Sequence, residues 1–435
     1  MMSHFFSTIQ LAVKIVFLML IVSTGFAQSN TIEFTAAGIK VILHQTQKET
    51  VVMSMYFKGG STNYSAENAG IESLALSGAV ECGTSNYTAS EFNDQVDENG
   101  LHLGADAGND FGVITLKCIS RYSGEAWKLF SAAIAAPVFE SQKFELLKQQ
   151  KISELNLALS NADTRLSELA KEFAFAGTPY AINPDGTETT LMALNRDAVK
   201  EYYYNTLLNK NRMFLVIAGN VSKEDIEAKI TAAFSGIPDK PYTGIDIASQ
   251  VFAEDVYTIE NRPLATNYVC GLVNAPGLSS PDYPAYRIAV VILNSSIYET
   301  IRLSKHLSYA PAAFLSAGKI SYTTVYASTS QPRETVRAMR SVLSFVKSKK
   351  FPYWLIEDLK KSLLQSYQKQ QETMNDVAAE LGKAEIMGNW KLAENLNSRM
   401  QPVSADDVNE VFNRYVKKIV WAYVGDEDQG ISTFN

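Results

Sequence analysis

The chain has 435 residues, of which 46% are hydrophobic and 20% charged, and its formal net charge is -7. That is the composition of a folded protein, and the length favours two or more domains over one. The acidic balance argues against nucleic acid as a main partner, and no long Lys/Arg run offers itself to an anionic membrane surface.

In chain order, Lys14 precedes an apolar run, Ile15 to Val22, and small residues Gly25 and Ala27 close the segment before a polar stretch. Residues 1–27 read as a secretory signal cut after Ala27, and the run is too short to span a bilayer. Gln28 follows the cut, so the lipoprotein route is not indicated. The mature chain is expected to be exported to the periplasm or envelope, with no transmembrane segment.

"VVMSMYFKGGSTN" (Val51 to Asn63) predicts a half-buried strand that breaks at a Gly pair. "AGIESLALSGAVECGT" (Ala69 to Thr84) predicts a helix. "FELLKQQKISELNLALSNADTRLSELAKEF" predicts one long helix with Ile152, Leu155 and Leu159 on one face. "NRDAVKEYYYNTLLNKNRMFLVIAGNV" then places a helix before a buried strand that stops at Gly219, and Ser235 to Gln250 carries the Pro and Gly of a linker.

The second half repeats the first. Thr266 to Tyr286 forms a comparable strand and loop, followed by the apolar helix candidate "RIAVVIL". A long polar helix through "WLIEDLKKSLLQSYQKQQETMND" places Leu359, Leu363 and Tyr367 four apart, and "SADDVNEVFNRYVKKIVWAYVGDED" ends in a strand that stops at Gly425. The expected fold is α+β: two homologous repeats, each a mainly antiparallel sheet with helices packed on one face, over residues 28–240 and 251–435. Cys82, Cys118 and Cys270 are odd in number and lack ligand spacing. They read as buried free thiols, with a Cys82–Cys118 disulfide as the alternative.

These segments, in their order and spacing, resemble the insulinase/pitrilysin family of zinc peptidases, the inverzincins. The likeness covers essentially the whole mature chain. It runs from "AAGIKVILHQTQKETVVMSMYFKGGSTN" through "NAGIESLALSGAVECGTSNYTASEFNDQVDENG" and "GTPYAINPDGTETTLMALNRDAVKEYYYNTLL" to "FLVIAGNVSKEDI" and "NSSIYETIRLSKHLSYAP". Active members carry H-x-x-E-H on the first-half helix, two His for zinc and a Glu as general base. The resemblance puts those positions on Ser73, Ser77 and Leu76, and Gly70 to Thr84 holds no His. The third ligand falls on Glu154. One carboxylate without two imidazoles cannot hold catalytic zinc, which takes three protein ligands. Glu154 then reads as a solvated helix residue. His44, His102 and His306 lie on different predicted elements and do not replace the set.

Two further features carry over from the resemblance. "IRLSKHLSYAP" offers Arg302 and Tyr309 where the family's R-x-x-x-G-L-x-Y stretch reaches over the substrate, with His306 in place of Gly. Such a pair can hold a peptide carbonyl; the alternative is an exposed helix charge and a core aromatic. "GLHLGADAGNDFGVITLKC" is similar to the strand that pairs with substrate backbone, which makes Leu103, Gly104 and Ala105 candidate peptide contacts. The chain is therefore expected to be a non-catalytic subunit of an exported heteromeric zinc metallopeptidase. In that reading a zinc-bearing relative is its partner, a peptide is its substrate, and no cofactor is held on this chain. The alternative is an inactive peptide-binding or scaffold protein of the same fold.

Overall fold

The computed structural model describes residues 30–247 and 250–435, and residues 1–27, read above as an export signal, lie outside the described residues. The first sheet contains β1 (Thr31–Ala36), β2 (Ile39–Gln45), β3 (Thr50–Lys58), β4 (His102–Ala107), β5 (Phe111–Ile119) and β6 (Met213–Gly219). Its order is β1-β2-β6-β3-β5-β4. The second contains β7 (Val256–Asn261), β8 (Asn267–Asn274), β9 (Ala312–Ser316), β10 (Tyr322–Thr329) and β11 (Val420–Gly425), in the order β7-β11-β8-β10-β9.

The second order repeats β2-β6-β3-β5-β4 of the first. Each sheet has one parallel pair, β2 with β6 and β11 with β7, in the same place, and its other neighbours are antiparallel. This is the duplicated α+β fold expected from the sequence. β6 and β11 are buried along their whole length. β6 stops at Gly219, whose φ of 143° and close approach to the Thr50 carbonyl leave no room for a side chain.

The helices used below are α1 (Ile71–Glu81), α2 (Ser123–Ala135), α3 (Ser141–Ser160), α4 (Ala162–Ala174), α5 (Tyr283–Ile297), α6 (Pro332–Ser348), α7 (Tyr353–Gln370) and α8 (Met374–Ile386). On the inner face of the first sheet, α1 and α2 pack Leu74, Leu76, Trp127 and Phe130 against Met53, Met55, Ile114 and Leu116. In the second half, α5 and α6 pack Ile288, Leu293, Met339 and Val342 against Val269, Val273, Val325 and Trp421.

The outer faces are covered by exchange. Helix α8, from the second half, lays Val377, Ala378 and Leu381 on Val52, Tyr56, Phe214 and Val216 of the first sheet. Helix α4, from the first half, lays Leu166 and Ala170 on Cys270, Leu272, Val420 and Ala422 of the second. The expectation of a half-buried β3 is corrected here: Val51 to Phe57 are all buried, because α8 covers the face that local alternation assigns to solvent.

The two long helices also differ from expectation. The first breaks at Asn161, whose extended backbone ends α3 and whose side chain accepts from the Asp163 and Thr164 N–H groups at 2.9 and 3.2 Å, capping α4. The second breaks after Gln370, and Thr373 caps α8 by accepting from the Asp376 N–H at 3.1 Å. Each break frees the following helix to cross to the opposite sheet.

A polar joint adds to this exchange. The Tyr180 hydroxyl lies 2.7 Å from both oxygens of Asp110, while the Lys319 N–H donates to Asp110 Oδ2 and the Ile320 N–H to the Tyr180 hydroxyl, each at 3.1 Å. All three cysteines are buried and free, and burial pushes the Cys82 and Cys270 thiols up to about 12. Among the described residues no helix is long and apolar enough to cross a membrane.

Candidate functional site

Helix α1 starts at Gly70, in a left-handed conformation with φ 90°, where an added Cβ would meet the Leu191 side chain at 2.6 Å. Everything from Ile71 to Val80 is buried, so its polar residues must find partners inside the protein. The Ser73 hydroxyl donates to Asp185 Oδ1 at 3.1 Å. Ser77, one turn on, is also buried. Leu76 is fully buried against β5, where a Cβ on Gly112 would lie 2.4 Å from its Cδ1.

Glu72 is fully buried as well. Its Oε2 accepts from the Tyr202 hydroxyl at 2.6 Å and from Asn63 Nδ2 at 3.0 Å, while Oε1 has no partner. Arg212 donates to Asn63 Oδ1 and to the Lys58 carbonyl, and its guanidinium stacks on Tyr242 with 4.1 Å to the ring centroid. Burial pushes the Glu72 carboxyl up; the two hydrogen bonds and the Arg212 charge oppose this without cancelling it.

Ser73, Ser77 and Glu81 form one stripe of α1. Glu81 lies 4.0 Å from Lys143 of α3, and burial pushes its carboxyl up. Glu154, also on α3, has 54% of its side chain exposed; it accepts from Gln150 at 2.8 Å and lies 3.9 Å from Lys151. The Lys151 charge also acts on Glu81 and on Asp106 of β4, favouring both carboxylates. Lys151 was missed in the sequence; its signal was a place three residues before Glu154, on the same helical face.

Among the described residues no group of three or more His, Cys, Asp or Glu side chains is arranged to hold a metal ion. The zinc of active relatives does not fit the side chains present. Two hydroxyls and an isobutyl group stand at the motif positions, and a lysine ammonium lies among the remaining carboxylates.

Leu103, Gly104 and Ala105 sit on β4, the edge strand of the first sheet. Leu103 and Ala105 pack inward on the core, whereas a Cβ added to Gly104 would meet nothing within 4 Å. His102 begins this strand in an exposed position. His44 bonds Thr31 Oγ1 at 2.9 Å through Nδ1, so the histidines stay on separate elements.

Arg302 and Tyr309 do come together. Helix α5 continues as a π-helical turn over Tyr298–Ser304 that carries Arg302. The Arg302 guanidinium donates to the Tyr309 carbonyl at 2.7 Å, with 4.2 Å to the Tyr309 ring centroid and 5.2 Å to that of Tyr298. Tyr309 is 79% exposed, so the alternative of a core aromatic does not hold. Tyr298, four residues before Arg302, was not singled out in the sequence, although that spacing places it on the same face. His306 has φ 53°, the left-handed conformation that explains a Gly at this place in the family pattern. Among the described residues no hydrogen bond, ion pair or ring contact joins the Arg302 cluster to α1.

Residues 40–187 match the family model described as insulinase (peptidase family M16), and residues 193–363 match the peptidase M16 inactive domain. An uncharacterized zinc protease of Rickettsia felis is 21% identical over 396 residues, covering 87% of this chain and 93% of that one. A non-peptidase homolog of Helicobacter pylori, YmxG, is 22% identical over 191 residues, 43% of this chain and 44% of its own. The crystal structure of a peptidase M16 inactive domain from Pseudomonas fluorescens has the same fold, with a TM-score of 0.81 at 18% identity over 91% of this chain and 98% of that one. The chain thus belongs to the insulinase family, peptidase family M16, with Ser73, Leu76 and Ser77 in place of the zinc-binding motif.

Proposed function

We propose that this chain is the non-catalytic subunit of an exported, heteromeric zinc metallopeptidase, built of two peptidase-like domains over residues 28–240 and 251–435. The observation that carries this reading is the contrast between α1 and the Arg302 cluster. The motif positions of α1 are buried or apolar, whereas Arg302 is stacked between Tyr298 and Tyr309 at the surface. One Arg302 nitrogen is held by the Tyr309 carbonyl, which fixes the guanidinium while its other N–H groups and the Tyr309 hydroxyl remain for a ligand. In this role both groups donate to a peptide carbonyl, and Gly104 on the β4 edge leaves space for the peptide backbone to approach. The zinc and its general base belong to a partner chain, and the complex resides in the periplasm or envelope.

The test is affinity capture of the tagged protein from its native envelope fraction, with mass spectrometry of what is retained. Recovery of a similar-sized chain carrying H-x-x-E-H supports the reading. Arg302→Ala in the reconstituted pair is then expected to lower peptide cleavage with zinc content unchanged. Recovery of the chain alone, or with copies of itself, overturns it in favour of a peptide-binding scaffold. N-terminal sequencing of the captured protein checks the cut after Ala27.

A further inference from the structure

The outer faces of the two sheets are covered by equivalent helices but not equally well. On the first sheet, Gly382 of α8 lies so close to Tyr56 that an added Cβ would be 2.1 Å from the ring, and Tyr56 stacks on Phe214 with 4.9 Å between centroids. On the second sheet, α4 covers β8 and β11 and leaves a cavity of about 410 Å³ toward β10 and β9. That volume lies in the range of ligand sites, roughly 300–1,000 Å³.

The cavity is lined mainly by Leu166 and Ala170 of α4, by Cys270 and Leu272 of β8, and by Phe314 and Tyr322. Its charged rim is already satisfied internally. Asp163 accepts from the Tyr326 hydroxyl, and Lys171 pairs with Glu168 at 2.5 Å. A charged guest would have to break one of these pairs, so the site selects an uncharged one. Phe314, half exposed at the mouth, offers a ring face. Ala310, also in the wall, is the residue after Tyr309, so the cavity adjoins the proposed peptide-holding pair.

We infer that this cavity receives an uncharged aromatic or branched aliphatic side chain of the peptide that Arg302 and Tyr309 hold. The inference rests on the proposed role of that pair. It assigns the second half a preference for apolar residues that the family assignment does not supply.

Fluorine NMR tests it on the full mature chain. The probe is a short Gly/Ser peptide with one central 4-fluorophenylalanine, and the competitors are the same peptide with Leu, Asp or Lys there. Ser167→Trp and Ala310→Trp fill the cavity from opposite walls, and both positions are exposed, so the fold is retained. The expected result is binding weakened about tenfold or more by either substitution and by Arg302→Ala. The Leu peptide should compete and the Asp and Lys peptides should not. Binding indifferent to both tryptophans, or equal competition by the Asp peptide, overturns the inference. Binding lost with the tryptophans but unchanged in Arg302→Ala also overturns it, by separating the cavity from the pair. If no peptide binds while the neutral probe N-phenyl-1-naphthylamine binds and is excluded by the tryptophans, the guest is a free apolar molecule and the inference fails. Failure of the subunit reading is seen separately, in the envelope capture.

Discussion

The two halves share a strand order but have spent their polar residues differently. In the first, Ser73 and Glu72 of α1 are turned inward and bound to Asp185, Tyr202 and Asn63. Its outer sheet face is sealed where Gly382 meets Tyr56. In the second, Arg302 and Tyr309 stay at the surface, and the equivalent outer face keeps a cavity. One repeat ties its polar groups into internal bonds while the other leaves them at the surface. The geometry of the duplicated fold does not decide this. Which residue sits at each helix–sheet crossing does.

The sharpest way to break the contrast is to overfill the sealed face. Gly382→Leu drives a side chain into the Tyr56 ring and should cost about 3 kcal/mol or more, read by chemical denaturation. Next is Glu72→Ala, which leaves the half-buried Tyr202 and Asn63 donors without their acceptor; a loss of about 2–3 kcal/mol is expected. Glu72→Gln sharpens that result through pH. Burial raises the folded-state value of Glu72 above its ordinary 4.5, so the folded protein binds the proton more tightly than the unfolded chain. Its contribution to stability is therefore full below about 4.5 and declines as pH rises through the raised value. The difference in stability between Glu72→Gln and the parent should shift in favour of the variant across that window, and a flat difference would reject a raised Glu72.

On the open face the expectation reverses. Ala170→Leu points into the cavity and should change stability by less than about 1 kcal/mol in either direction, against the large loss for Gly382→Leu. Equal losses for the two would remove the distinction between the faces. Smallest of all, Arg302→Ala alters a surface cluster and should leave the melting temperature nearly unchanged, within about 0.5 kcal/mol, so that any loss of peptide binding belongs to the contact itself.

Much of this could be read in the sequence because it is local. The two strands ending at Gly219 and Gly425 gave away the duplication, and the absence of His from Gly70 to Thr84 is decisive without coordinates. The seven-residue spacing of Arg302 and Tyr309 survived as a real contact because a helical turn and a left-handed His306 close it. What escaped depends on distant chain. Full burial of β3 comes from α8, whose Ala378 carbonyl accepts from the Tyr56 hydroxyl across 322 positions. No periodicity within "VVMSMYFKG" encodes that. The break at Asn161 was missed because its neighbours continue the helical pattern, and the cap outweighs them. Lys151 drew no notice in the sequence, because its charge acts on Glu81 of another helix and on Asp106 of a strand, both distant in the chain.

The exchange of α4 and α8 has a consequence for how such a chain comes to be folded. Neither half carries the helix that covers its own outer sheet face, so a half made alone would expose Val52, Tyr56 and Phe214, or Cys270, Leu272 and Val420. The chain should therefore unfold as one cooperative unit, with a single transition for probes in either sheet. The same reciprocity is the geometry of a domain-swapped dimer drawn within one chain, each repeat lending a helix to the other.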